Sequence, residues 1–105
     1  MTIPQRTPAQ LTPAQVAADT TGARIVDVRE PGEVATGAIA GSTNIPLDEL
    51  AARQAELDPV TPIITVCQSG RRSQKAAEAL SAAGYQVSNL DGGINAWIQD
   101  GKPLA

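Results

Sequence analysis

One segment of the sequence, residues 66–73, combines a thiol with basic residues and a glycine, in the order Val-Cys-Gln-Ser-Gly-Arg-Arg-Ser. Cys67 follows a short apolar run typical of a buried strand, and a helical pattern begins after it. Ligands of open α/β sheets bind at the carboxyl ends of the strands. The N–H groups of the loop and the dipole of the helix both favour an anion there. We therefore predict that Cys67 titrates below a free cysteine and reacts as a thiolate.

Three basic residues lie within five positions of this segment, namely Arg71, Arg72 and Lys75. Cations oppose the helix dipole at a helix N-terminus, so this placement favours contact with an anionic ligand. Gly70 permits a tight turn and a close approach of the backbone to a ligand. A lone cysteine after a strand is often a core residue, and basic residues at a helix start are often only solvated. The combination favours a functional site over those two alternatives.

The sequence has one cysteine and no histidine. An internal disulfide, a cysteine-rich zinc site and a Cys-x-x-Cys redox pair are therefore excluded. A Ser-His-Asp triad and a Cys-His dyad are excluded as well. We expect neither a metal nor a cofactor, and any chemistry at Cys67 must proceed without an internal histidine base.

The 105 residues correspond in length to a single domain, residues 1–105. Hydrophobic residues make up 42% of the chain and aromatic residues 2%, so that small aliphatic side chains must build the core. The net charge of -3 argues against general binding to nucleic acid or anionic lipid. No apolar run approaches the roughly 20 residues of a membrane span, and Met1–Gln10 lacks a signal-peptide pattern. We expect a soluble cytoplasmic protein.

Apolar runs alternate with helical patterns along the chain. Thr12-Pro13-Ala14-Gln15 predicts a capped helix start, with the helix ending at Gly22. This order of elements predicts an α/β fold with a small, mainly parallel sheet and helices on both faces. The other predicted elements are a strand at Ile25–Val28 broken by Pro31-Gly32, a glycine-rich connection over 37–44, an extended Asn44–Pro46, a helix over 47–56, a strand at Ile63–Val66, a helix over Ser73–Ala83 stopped by Gly84, a strand at Gln86–Leu90 and a helix at Gly93–Gln99.

Four segments, in order along nearly the whole chain, resemble the signatures of the rhodanese family. Cys67-x-x-Gly70-x-Arg72-Ser73 resembles the active-site loop of that family. Ala38 stands where the family usually has a histidine, and Val34 where it often has an aromatic residue. The other three segments are Ile25–Glu30, which is similar to the first signature, Gly37–Pro46, which is similar to G-H-I-x-G-A-x-N-I-P, and Asp91–Trp97, which is similar to the C-terminal G-G-x-x-A-W.

The resemblance implies a rhodanese-like fold and a thiosulfate sulfurtransferase that carries sulfur on Cys67 as a persulfide. Thiosulfate is the expected donor, and a cellular thiol, cyanide or an acceptor protein the expected acceptor. Arg71 and Arg72 are expected to attract the sulfonate, with the larger effect at Arg72. The resemblance also implies a substrate-binding loop made of Gln68, Ser69, Gly70, Arg71, Arg72 and Ser73.

Several alternatives stay open at this point. Asp27 and Arg29 form either an ion pair that anchors a loop or a direct contact to the substrate. The domain could instead be a non-catalytic binding module or a sulfur relay between proteins. Cysteine phosphatases and arsenate reductases use Cys-x5-Arg, whereas here the nearest arginine, Arg72, makes the loop one residue shorter. A 3-mercaptopyruvate donor is disfavoured, because the loop of that subfamily resembles C-G-S-G-V-T.

Overall fold

The computed structural model describes residues 7–105. Five strands form one sheet in the order β1-β5-β4-β2-β3, and each neighbouring pair is parallel. β4 lies at the centre of the sheet and is buried along its whole length, as expected for a strand covered on both faces. The strands are β1 Ala9–Leu11, β2 Arg24–Asp27, β3 Thr43–Asn44, β4 Ile63–Val66 and β5 Val87–Leu90.

Helices cover both faces of the sheet, and the side chains of β4 alternate between the two resulting cores. Ile63 belongs to the core shared with α3 and α4, and Ile64 to the core shared with α1 and α5. The helices are α1 Pro13–Ala17, α2 Pro31–Val34, α3 Leu50–Arg53, α4 Arg71–Ala82 and α5 Gly93–Gln99, with 3-10 turns at Leu47–Glu49 and Gln54–Glu56 on either side of α3. Small side chains let α4 pack closely on the sheet, since Ala76 and Ala77 are completely buried.

The predicted α/β class with a parallel sheet is confirmed, and β4 and α5 have the predicted bounds. The strand predicted at Ile25–Val28 lies one residue earlier, and the strand predicted from Gln86 begins one residue later. The extended segment predicted at Asn44–Pro46 pairs only over Thr43–Asn44. Residues 1–6, which begin the Met1–Gln10 segment discussed above, lie outside the described residues.

Two predicted helices were wrong in extent, and two short elements were not predicted. α1 ends at Ala17, well before Gly22, because Val16 is its single buried residue. The predicted helix over 47–56 is three short helical pieces. The strand before Pro31 already ends at Asp27, and Pro31 instead begins the unpredicted α2, at a helix start where a proline fits. β1 was not predicted at all.

The start of α4 bears directly on the site. The sequence predicted a helix from Ser73, whereas α4 begins at Arg71. The loop after β4 is therefore only four residues long, from Cys67 to Gly70. Arg71 and Arg72 lie in the first turn of the helix, so their backbone N–H groups join the positive end of the helix dipole.

The parallel topology brings three chain segments to one edge of the sheet. Cys67 follows β4, Val28 and Arg29 follow β2, and Asp91 and Gly92 follow β5. These three strands are neighbours in the sheet. The carboxyl ends of β2, β4 and β5 thus converge on the segment that the sequence singled out. None of the helices within residues 7–105 is long and apolar enough to cross a membrane.

Candidate active site

The sulfur of Cys67 lies among hydrogen-bond donors at the start of α4. The backbone N–H of Gly70 donates to Sγ at a donor–acceptor distance of 3.1 Å, and the hydroxyl of Ser73 donates to it at 3.3 Å. Ser73 is completely buried, and Cys67 is 1% exposed. Water has little access to this sulfur, so the surroundings of Sγ have a low dielectric constant. Hydrogen bonds to Sγ are stronger in such surroundings than in water.

Opposing effects set the pKa of Cys67. Burial is the largest single effect and raises the pKa, because it disfavours the charged thiolate. The Ser73 hydroxyl and the backbone N–H groups of Ser73, Gly70 and Ser69 lower it, because they bind the thiolate. Together these donors outweigh burial, and the pKa of Cys67 lies below its ordinary value. A lowered thiol pKa was predicted from the sequence, and its main cause is the set of N–H and O–H donors.

We expect Ser73→Ala to raise the pKa of Cys67, because the thiolate loses the hydroxyl donor at 3.3 Å. The ultraviolet absorbance of the thiolate, measured against pH with Cys67→Ser as the background, reports this titration. Ser69→Ala is the matched control, because Ser69 is exposed and supplies only its backbone N–H. Equal titrations of the two variants would contradict the role given to the Ser73 hydroxyl.

The N-terminus of α5 holds the carbonyl side of the Cys67 loop. The N–H of Ile94 donates to the carbonyl of Cys67 at 2.9 Å, and the N–H of Asn95 donates to the carbonyl of Gln68 at 3.0 Å. The N-terminus of α5 thus holds these two carbonyls, while the N–H groups of Ser69 and Gly70 are directed at Sγ. The Gly92-Gly93 pair matters because a side chain at Gly93 would collide with the Cys67 loop.

Gly70 closes the loop in a conformation that favours glycine. Its φ is +96°, and an added Cβ would lie 3.0 Å from the backbone nitrogen of Gly92. Its carbonyl accepts a bond from the side-chain amide of Asn89 at 3.3 Å and from the N–H of Gln74 at 3.1 Å. The bonds to its carbonyl therefore hold Gly70 in place, and with it the N–H that donates to Sγ.

Asp27 and Arg29 form a buried ion pair with an N–O distance of 2.8 Å, and both residues are 1% exposed. The remaining guanidinium N–H groups donate to the carbonyls of Glu33 and Gly37 and to the side-chain oxygen of Gln68. These contacts account for all five guanidinium donors. Of the two roles considered for this pair, the structure favours anchoring of loops over contact with a substrate.

The side chain of Gln68, which was expected to bind the substrate, makes structural contacts instead. Its side chain accepts a bond from Arg29 at 3.2 Å and donates to the side chain of Asn95 at 2.7 Å. It therefore links the anchor behind the site to α5. Ser69 is the exposed member of the loop. The side chain of Gln68 is thus occupied by structural contacts, while the backbone N–H groups of Ser69 and Gly70 are directed at Sγ.

Arg72 does not extend freely toward a ligand. Its two terminal nitrogens donate to the two carboxylate oxygens of Glu33 at 2.6 and 2.8 Å. The hydrogen bonds from Arg72 are the main cause that lowers the pKa of Glu33 to about 2, and the bond from the backbone N–H of Glu30 is the next. Arg71 is exposed, and no bond or ion pair of its side chain is found within residues 7–105. Of the two arginines predicted to attract an anion, Arg71 is the unpaired one.

Sequence reasoning missed three residues around the site. Glu33 pairs with Arg72, Asn89 holds the carbonyl of Gly70, and Asn95 accepts the bond from Gln68. The segment 91–97 was noticed for its glycines and tryptophan, and Asn95 lies within it. For Glu33 and Asn89 the sequence carries no local signal. No cluster of His, Cys, Asp and Glu within residues 7–105 is suited to a metal ion.

Comparisons with known proteins agree with this architecture. The sequence profile of the Rhodanese-like domain matches residues 12–100. A sulfurtransferase of Allochromatium vinosum is 37% identical over 87% of this chain and 86% of its own length. The thiosulfate sulfurtransferase GlpE of Pseudomonas aeruginosa (strain LESB58) is 39% identical over 72% of this chain and 70% of its own length.

Among solved structures, a rhodanese-related protein from Thermoplasma volcanium superposes on this chain with a TM-score of 0.88. It is 34% identical, and the match covers 92% of this chain and 97% of that protein. The profile match and these relatives show the family, and the superposition shows that the fold is shared.

Proposed function

The chain belongs to the Rhodanese-like domain family, and we propose that it is a thiosulfate sulfurtransferase that carries sulfur on Cys67. The observation that carries this proposal is the set of donors on Sγ, from the N–H of Gly70 and the hydroxyl of Ser73. These donors bind a thiolate, and the same donors can bind the anionic outer sulfur of a persulfide, much as an oxyanion hole binds oxygen.

In the first proposed step, the Cys67 thiolate attacks the outer sulfur of thiosulfate. A bond forms between Sγ and that sulfur, and the bond from the outer sulfur to the sulfonate sulfur breaks. The bonding pair leaves with sulfite, so that Cys67 carries a persulfide anion. No proton has to move because sulfite leaves as an anion, and this suits a chain without histidine.

In the second step, an acceptor nucleophile attacks the terminal sulfur of the persulfide. With cyanide, a carbon–sulfur bond forms, the sulfur–sulfur bond breaks, and its electron pair returns to Sγ as the thiolate. The protein has a single cysteine, so that no second thiol of its own can take the sulfur. The acceptor must therefore be an external thiol, cyanide or an acceptor protein.

The anchors behind the loop have a positioning role in this proposal. The Asp27–Arg29 pair connects β2 to Gln68, and α5 holds the carbonyls of Cys67 and Gln68. The loop is therefore prepared for an anion before a substrate arrives, which reduces the reorganisation that the reaction needs.

The cytoplasmic location expected from the sequence stays a prediction.

A relay of sulfur between proteins is the second candidate. It is supported by the exposed Arg71 in the first turn of α4, next to the sulfur site, whose side chain has no bond or ion pair within the described residues. A cation in that place would suit an acidic surface on an acceptor protein. This alternative keeps the Cys67 persulfide and changes only the acceptor.

An activity profile tests the proposed reaction class. We expect thiocyanate formation from thiosulfate and cyanide, and negligible hydrolysis of an aryl phosphate. The physical reason is the size of the loop, since Arg72 lies one position short of the Cys-x5-Arg spacing that cysteine phosphatases use. Efficient hydrolysis of the aryl phosphate without thiocyanate formation would contradict the proposal and favour a phosphatase.

A further inference from the structure

An ion pair links the first turn of α4, which also supplies the Ser73 donor to the Cys67 sulfur, to the short helix α2. Arg72 and Glu33 meet through two parallel hydrogen bonds of 2.6 and 2.8 Å, and their side chains are 37% and 34% exposed. Glu33 is the main cause that raises the pKa of Arg72, and the negative charge of Cys67 contributes. Arg72 is therefore close enough to Cys67 to interact with it electrostatically.

This pairing changes what Arg72 can offer to an anion. One N–H on each terminal nitrogen of its guanidinium donates to Glu33, so the two-pronged face of the guanidinium is taken, and the carboxylate offsets its charge. Because the pKa of Glu33 is about 2, the carboxylate stays ionised at any pH at which the protein functions. A small dianion bound next to Arg72 must compete with Glu33 for the two-pronged face of the guanidinium, and the Glu33 carboxylate also repels that dianion.

Resting on the sulfurtransferase function proposed above, we propose that Glu33 determines donor specificity by disfavouring small dianions such as thiosulfate relative to organic persulfides. An organic persulfide needs no sulfonate site. Its terminal sulfur bonds to Sγ, the sulfur–sulfur bond of the donor breaks, and the electron pair leaves with the organic thiolate. The N–H groups of the loop and the exposed Arg71, whose side chain has no bond within residues 7–105, are left to attract such a monoanionic donor.

Glu33→Gln tests the competition with little change in shape. The amide oxygen can still accept the bond from the N–H of Glu30, which now measures 3.0 Å, so that the start of α2 is retained. Glu30→Gln is the matched control. It removes one negative charge from the same helix end, but the Glu30 side chain has no hydrogen bond to Arg72.

We expect Glu33→Gln to lower the half-saturating concentration of thiosulfate about three- to ten-fold, the range for releasing a partly exposed bidentate arginine. Glu30→Gln should change it by less than about two-fold, since the exposed Glu30 carboxylate acts on Arg72 only at a distance and is screened by solvent. With 2-hydroxyethyl persulfide as donor, kcat/KM should change by less than about two-fold in either variant, because this donor has neither a sulfonate nor a carboxylate for the guanidinium fork.

A second measurement needs no sulfur transfer, namely the protection of Cys67 by sulfate against alkylation with iodoacetamide. We expect Glu33→Gln to be protected at lower sulfate concentrations than the wild type. The role of Glu33 would be overturned if the wild type and Glu33→Gln had equal half-saturating thiosulfate concentrations and were protected at equal sulfate concentrations. It would also be overturned if Glu30→Gln changed these concentrations as much as Glu33→Gln does. A wild type that takes sulfur from neither donor would instead contradict the proposed function, and the sulfate arm would still decide whether Glu33 competes for Arg72.

Discussion

Cys67→Ser abolishes the transfer of sulfur from thiosulfate to cyanide, with an expected loss of at least about a thousand-fold in rate. The reason is chemical, since the hydroxyl of serine is a poor nucleophile at neutral pH and the chain has no other thiol to replace it. Thiocyanate formation under saturating thiosulfate measures the effect.

The variant must also be shown to fold. Serine is close to cysteine in size, and the donors from Gly70 and Ser73 can bind its hydroxyl oxygen. We expect a loss of about 1–2 kcal/mol in the free energy of unfolding, because a buried apolar thiol becomes a polar group. Activity near that of the wild type in a folded Cys67→Ser protein would exclude Cys67 as the sulfur carrier.

Gly93→Ala is expected to destabilise the fold by about 2–4 kcal/mol and to displace the active-site loop. An added Cβ would lie 2.3 Å from the carbonyl oxygen of Cys67 and 2.8 Å from the carbonyl carbon of Gln68. These are backbone atoms, so the collision can be relieved only by moving the loop or α5. The bond from Ile94 to the Cys67 carbonyl is then lost or lengthened, and the donors on Sγ are misplaced.

Gly22→Ala separates backbone strain from this collision. Gly22 has a φ of +75°, close to the +59° of Gly93, but an added Cβ there meets nothing within 4 Å. We expect it to cost about 1–2 kcal/mol, the price of a left-handed conformation in a residue with a side chain. Denaturant unfolding measures both variants, and the thiolate titration of Cys67 reports the loop. Equal unfolding free energies, with an unchanged titration in Gly93→Ala, would contradict the tight contact.

Features that depend on neighbouring residues were predictable from the sequence. The capping box of α1 is present, with bonds of 3.2 Å from the Gln15 N–H to the Thr12 hydroxyl and 2.8 Å in return. β4 was predicted with its true bounds, because a short β-branched run after Pro62 is typical of a buried central strand. The lowered pKa of Cys67 was likewise foreseen, since the loop and the helix follow it directly.

Features that depend on distant residues were not predictable. β1 is three residues long and largely exposed, and it exists because Ala9–Leu11 pairs in register with β5, some 80 positions later. The bonds from Arg29 to Gln68 and from Arg72 to Glu33 each join residues 39 positions apart. Arg72 looked like a free cation in the sequence because its partner, on the unpredicted α2, could not be identified without the fold.

The mass of the intact protein after treatment with thiosulfate alone, and removal of the excess, tests the central claim most directly. A persulfide on Cys67 adds one sulfur atom, and cyanide or a thiol then removes it. We predict this reversible gain in the wild type and its absence in Cys67→Ser. An unchanged mass in the wild type, or the same gain in Cys67→Ser, would contradict sulfur transfer through Cys67.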